Sequence, residues 1–234
     1  AIVDPVLMLS MPKGLCAASG IDVLTHALES LVATLATEYT IPLSLESAKL
    51  VFDYLPESYH GGAEAKVAKE KMANASCMAG MAFSNAMLGL CHSMAHKLGA
   101  KFHIPHGTAN ALLINEVIKY NATDAPFKQG TFPQYETPQA IERYAKAAEY
   151  IGLTGRTNEE KVTALINKIN ELKTDINIPM SISEFGVSEA EFLAAVDQLA
   201  VEAFDDQCTP ANPRYPLIDD IKQLYLNAFY GETK

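Results

Sequence analysis

Along most of the chain apolar residues recur every three or four positions, the period of a helix with one face against a core. Leu24, Leu28, Leu31 and Leu35 fall on one face of a first helix, with Asp22, His26 and Glu29 on another. Ser19, with Asp22 three residues later, reads as a capping box that opens this helix. Ahead of it "AIVDPVLML" reads as a strand and "MPKG" as a turn. A second helix is expected from Pro42, in its preferred first-turn place, to just before Pro56, followed by a loop at "HGGAE". From Ala63 to about Leu88 the chain is rich in Ala, Gly, Ser and Met, which allows close approach of neighbouring helices. A further helix follows Pro105 and carries Leu112, Leu113, Glu116 and Val117 to about Asn121. After the polar stretch "ATDAPFKQGTFPQYET", three helix starts are signalled: Thr137 with Pro138 behind it, Thr157 with Glu160, and Ser188 with Glu191. A last helix is expected from Pro216 to Tyr230. The pattern predicts an all-α bundle.

Composition narrows the class. A chain of 234 residues buries enough surface to fold without staples, so any metal it holds serves chemistry before stability. A net charge of -10 with no basic stripe argues against a nucleic-acid partner. Cys16, Cys77, Cys91 and Cys208 form no C-x-x-C pair, which suits reduced thiols and a cytoplasmic location. The run "CMAGMAFSNAMLGL" is broken by Ser84 and Asn85 and is too short to cross a bilayer, so no membrane partner is expected. No leader sequence is evident, and the opening residues read like the end of a preceding unit, so a piece of a longer protein is expected.

The candidate chemistry lies in "CHSMAHKLGAKFHIPHG", which holds four of the six histidines. Asp22 and His26 are four apart, so on a helix they differ by about 40° of azimuth and one turn, and can reach toward one point. His92 and His96 repeat that geometry, and a reversal between Leu98 and Pro105 can swing His106 back toward His92. One carboxylate with several imidazoles suits Fe, Zn, Co or Mn, whereas calcium and magnesium want more oxygen. The plainer reading makes Asp22 the acid of the capping box and the histidines core or surface residues. Four buried imidazoles would each need partners, which favours a metal site without fixing its members.

Other classes lack their motifs. There is no H-E-x-x-H, no C-x-x-C-H, and a single E-x-x-H, Glu57 to His60, beside a Pro and a Gly pair where no bundle helix is expected to continue. Neither G-x-G-x-x-G nor G-x-x-x-x-G-K-[ST] occurs, so nothing here cradles a nucleotide phosphate.

"GIDVLTHALES", "GMAFSNAMLGLCHSMAHKLGAKFHIPHGTANA" and "DDQCTPANPRYPL" resemble the iron-containing (group III) alcohol dehydrogenases over nearly the whole chain. "KTDINIPMSISEFGV" and "CTPANPRYP" most resemble the alcohol dehydrogenase half of bifunctional acetaldehyde/alcohol dehydrogenases. The resemblance implies the helical domain of the iron-containing alcohol dehydrogenase / dehydroquinate synthase-like fold. Residues 1–18 would then be a remnant of a preceding α/β nucleotide-binding domain, and 19–234 the all-helical metal-binding domain. It implies Asp22, His26, His92 and His106 as metal ligands, His96 beside the nicotinamide and substrate, and Phe83 lining the substrate pocket; His103 and His60 match no functional position. The implied cofactors are Fe(II), with Zn(II) able to replace it, and NAD(H) held by the domain that this chain lacks. The implied activity is reduction of a short-chain aldehyde, acetaldehyde to ethanol, with this stretch inactive alone. A homo-oligomer or long helical assembly is the implied state of the full-length enzyme. Two other readings stay open, a non-catalytic helical assembly domain and a zinc-dependent glycerol-dehydrogenase-like enzyme.

Overall fold

Helix α1, Lys13–Val32, is the axis of the molecule, with fourteen of its twenty residues buried. A computed structural model describes residues 2–123 and 139–231. By length and composition α1 could cross a membrane, yet most of it is enclosed by the fold, so its hydrophobicity belongs to a core helix covered on several sides. It begins six residues before the expected start at Ser19. Pro12 supplies an extended residue before the first turn, and Ser19 lies in the helix interior, where its hydroxyl donates to the Leu15 carbonyl at 2.7 Å. Ser19 is thus no cap, and Asp22 is not the acid of a capping box.

The opening strand is also corrected. Pro5–Met8 form a single 3-10 turn, closed by the Asp4 carboxylate accepting the Val6 N–H at 3.0 Å. Pro5 has no N–H for a ladder, and no strand occurs among the described residues for this segment to pair with.

Helix α2 (Ile41–His60) starts with Pro42 in its first turn as expected, but continues through Pro56. Proline removes one intrahelical bond, whereas Leu55 and Ser58 on either side of it stay buried and hold the last turn in place. The "HGGAE" segment is accordingly shorter as a loop, with a 3-10 turn at Gly62–Glu64. Helix α3 (Lys66–Ala86) buries Ala68, Ala75, Ala79, Ala82 and Ala86, and the small side chains let it lie close to α1 and α2. Met87, at φ 69°, ends α3, and Gly89 leads into α4 (Leu90–Phe102). His103, exposed and left-handed at φ 55°, caps α4, and three residues later α5 (His106–Asn121) begins and runs back along it. The reversal expected before Pro105 is therefore confined to three residues.

The remaining helices are α6 (Ala140–Tyr150), α7 (Asn158–Asp175), the single turn α8 (Ile182–Phe185), α9 (Glu189–Phe204) and α10 (Ile218–Tyr230). Two sequence-derived caps form: Thr157 Oγ1 accepts the Glu160 N–H at 3.2 Å, and Ser188 Oγ that of Glu191 at 3.4 Å. The start signal at Thr137 and Pro138 lies outside the described residues, as does most of the polar stretch before it. α1 packs on α2, α3 and α5, α4 lies against α5 and α9, and α9 against α10.

One buried side chain ties the C-terminal segment to the centre. Asn212 Oδ1 accepts from the Leu90 N–H at 3.1 Å and from Asn121 Nδ2 at 3.2 Å, while its Nδ2 donates to Asn121 Oδ1 at 2.8 Å and the Arg214 carbonyl at 2.6 Å. A buried amide with both ends used costs little and fixes where α4 begins.

Candidate metal centre

Asp22 on α1, His92 on α4 and His106 on α5 each bring one ligand atom to a common region, with the three atoms all within 4.8 Å of one another. Two contacts set this geometry: His92 Nε2 lies 3.7 Å and His106 Nε2 3.5 Å from Asp22 Oδ1. The approach of α5 to α1 needs Gly107, since a Cβ there would stand 1.9 Å from the Ala18 carbonyl oxygen. The three helices therefore deliver the three ligands through backbone packing.

The second ring nitrogen of His92 is held from behind. Glu29, one turn beyond His26 on α1, takes His92 Nδ1 in a short hydrogen bond, and its other oxygen accepts the Cys91 N–H at 2.6 Å. The carboxylate thus sits on the N-terminus of α4, where unpaired N–H groups and the helix dipole favour an anion. Gly89 leaves room for it, because a Cβ would lie 3.1 Å from Glu29 Oε1. With Nδ1–H donated to Glu29, Nε2 keeps its lone pair for the centre, the arrangement of a ligating histidine with an outer carboxylate.

Asn110, fully buried on α5, stands among the three ligands. Its Nδ2 donates to Asp22 Oδ1 at 2.7 Å and lies 3.2 Å from His92 Nε2 and 3.3 Å from His106 Nε2. Three acceptors gathered around one donor are a set that a cation satisfies equally well, and two imidazoles with a carboxylate fit a divalent transition ion. Sequence reasoning named neither Asn110 nor the role of Glu29. Glu29 shared a face with Asp22 and His26, but its partner is 63 residues away.

His26 stands beside this group. Its Nδ1 is 3.8 Å from Asp22 Oδ2, and its ring lies between Phe83, stacked at 4.6 Å, and His92 at 4.5 Å. Burial, then the neighbouring His92, push the His26 pKa down to about 4 against the pull of Asp22 and Glu29. Burial likewise lowers the pKa of His106, opposed by Asp22. Both rings are neutral at pH 7, as metal ligands must be. The metal-free chain should accordingly lose stability as pH falls from about 6.5 toward about 4, because unfolded His26 takes up a proton that the folded site refuses. Melting temperature against pH checks this, and His26→Gln should flatten that part of the curve.

His96 faces a different set of groups. Its ring stacks near His106 at 5.4 Å, and its Nδ1 meets Asp206 Oδ2 at 3.0 Å. Lys97 Nζ lies 2.8 Å from the same oxygen. Burial works against the Asp206 charge, but Lys97, the Cys208 N–H and His96 together hold its pKa below the usual value. A cavity of about 470 Å³ opens beside Asp22 and His26, walled by Met8, Met11, Leu55 and Met72; Phe83 is not in its wall. His60 lies elsewhere, exposed, in a pair with Asp175 at 3.1 Å.

The sequence profile of the Fe-containing alcohol dehydrogenase family, C-terminal, matches residues 16–229. The chain is 54% identical over 233 residues to the bifunctional aldehyde-alcohol dehydrogenase AdhE of Escherichia coli, covering 99% of this chain and 26% of that protein. It is 56% identical over 229 residues to the aldehyde-alcohol dehydrogenase of Clostridium acetobutylicum, covering 98% of this chain and 27% of that one. It therefore spans about a quarter of the length of these relatives. Among solved structures, the iron-containing alcohol dehydrogenase from Thermococcus thioreducens superposes with a TM-score of 0.85 at 32% identity, over 99% of this chain and 55% of that one. A 1,3-propanediol oxidoreductase superposes at 0.84 with 34% identity, over 97% of this chain and 55% of that one. With the family profile matched over most of its length and a helical fold shared over almost all of it, the chain belongs to the Fe-containing alcohol dehydrogenase family, of which it carries the C-terminal region.

Proposed function

We propose that this chain is the metal-holding part of an enzyme that reduces a short-chain aldehyde, acetaldehyde to ethanol, with NADH in the cytoplasm. The convergence of Asp22, His92 and His106 in front of Glu29 carries this reading. The names of the aldehyde-alcohol dehydrogenases it matches support an aldehyde as the substrate class, and four free cysteines suit a reducing compartment. Residues 1–18 come, in this reading, from the end of a nucleotide-binding domain and 19–234 from the metal-binding domain, with α1 continuing across the junction.

Asp22, His92 and His106 hold the ion, and His26 completes the set from its place beside Asp22. Fe(II), or Zn(II) on the same donors, supplies a Lewis acid for the carbonyl oxygen, and NADH on the other domain supplies the hydride. Glu29 keeps His92 in the tautomer that leaves Nε2 free. Phe83 shapes the substrate side by stacking on His26. His96, steadied at Nδ1 by Asp206, delivers the proton that the new alkoxide oxygen requires.

Elemental analysis of chain prepared anaerobically with Fe(II) should give bound iron and a raised melting temperature, both lost in His92→Ala. In the full-length enzyme His96→Gln should slow turnover by roughly 10²–10⁴-fold with iron content intact, the range of a lost general acid. Unchanged iron in His92→Ala would refute the ligand set, and iron lost in His96→Gln would make His96 a ligand.

A further inference from the structure

A second group of ligating side chains adjoins the first and has no part in holding its ion. His96, Asp206 and Cys208 each place one donor atom so that all three lie within 4.8 Å of one another. Asp206 is nearly buried at 8% exposure, and the turn after α9 that carries it brings the Cys208 N–H onto Asp206 Oδ1 at 3.0 Å. That backbone bond points the carboxylate and the thiol the same way and leaves Oδ2 for His96 and Lys97.

We propose that His96, Asp206 and Cys208 form a second transition-metal site, suited to Zn2+, whose occupancy inhibits the enzyme. The donor set decides the ion. An imidazole nitrogen, a carboxylate oxygen and a sulfur are zinc donors, whereas magnesium and calcium take oxygen only. Three protein ligands leave a fourth position for water, as in an open tetrahedral site. Asp206 already binds a cation, the Lys97 ammonium at 2.8 Å. Lys97 is 27% exposed at its side chain, so it can turn out to water when a metal ion takes over its charge. An ion on Nδ1 would hold the His96 ring as a ligand. The inhibitory consequence rests on the proton-carrying role proposed above for His96, whereas the binding does not.

Co2+ added to the anaerobic chain reads out the two sites separately, because cobalt–thiolate bonding gives a charge-transfer band in the near ultraviolet and the first site contains no sulfur. Two cobalt ions per chain are expected, with the band. Cys208→Ser should remove the band and one equivalent, and Asp206→Asn should weaken both, whereas His92→Ala should remove the other equivalent and keep the band. One equivalent without a band overturns this proposal and leaves the first site standing. One equivalent with a band lost in Cys208→Ser supports it and refutes the first site instead. A band that survives Cys208→Ser belongs to another cysteine and overturns the proposal, as does the absence of any bound cobalt. In the full-length enzyme, Cys208→Ser should raise the Zn2+ concentration needed for inhibition by about 10-fold or more, since even outer partners of a metal site are worth ~10–100-fold. Inhibition unchanged in that variant would refute the regulatory consequence.

Discussion

Gly107→Ala is expected to destabilise this chain more than any other single-methyl addition to its helices, and to disperse the metal ligands. A Cβ at 107 would lie 1.9 Å from the Ala18 carbonyl oxygen and 2.6 Å from its carbon, both backbone atoms of α1. No rotamer change relieves such a contact, so α5 must retreat from α1 and carry His106 away from Asp22. Overpacking by side chains alone costs about 1–3 kcal/mol, and a backbone clash belongs at or above the upper end. For a chain of this size that corresponds to a fall in melting temperature of roughly 6–12 °C. Gly80→Ala is the control, because a Cβ there meets nothing within 4 Å, and it should gain up to about 1 kcal/mol from helix propensity. Thermal melts of the two variants with and without Fe(II) check the argument; equal melting of Gly107→Ala and the parent would refute it.

Removal of Glu29 should have the second largest effect, and on both stability and metal affinity. In Glu29→Ala the His92 Nδ1–H and the Cys91 and His92 backbone N–H groups lose their common acceptor inside the protein. Breaking a buried charged network of this kind costs about 3–5 kcal/mol. Glu29→Gln keeps the volume and one acceptor oxygen, so it should fold better. It should still bind metal ~10–100-fold more weakly, because an amide neither strengthens the imidazole as a base nor fixes its tautomer. Denaturant unfolding of the metal-free variants separates the two effects from Co2+ or Fe(II) titration. Parental metal affinity in Glu29→Gln would show that Glu29 serves only the N-terminus of α4.

Several elements were legible because their causes are local. The Thr157 and Ser188 caps form because a hydroxyl and an N–H three residues on meet within a single turn. The helix after Pro105 begins at the next residue, with Pro105 itself extended just ahead of the first turn. The failures were local rules overridden by packing. Pro56 breaks an isolated helix, but here it follows the buried Leu55 and precedes the buried Ser58, and α2 continues. Ser19 and Asp22 carry the letters of a cap, yet α1 starts at Lys13, and the buried Cys16, Ala17 and Ala18 hold the turn ahead of Ser19 in the helix.

For the centre, the sequence determined which side chains could be ligands, because residue type and an i, i+4 spacing fix chemistry and approximate direction within one helix. It thereby placed Asp22 near His26, and the turn at His103–Pro105 allowed His106 to return to α4. Only the tertiary structure decided that Asp22, His92 and His106 form the tightest group, that Asn110 stands among them, and that Glu29 holds His92 from behind. It also turned His96 toward Asp206 and Cys208. The Glu29–His92 and His96–Asp206 pairings join residues 63 and 110 positions apart, and no period within one helix contains the angle at which another helix crosses it. That angle is set by backbone contact, here the bare glycine of α5 against the Ala18 carbonyl of α1.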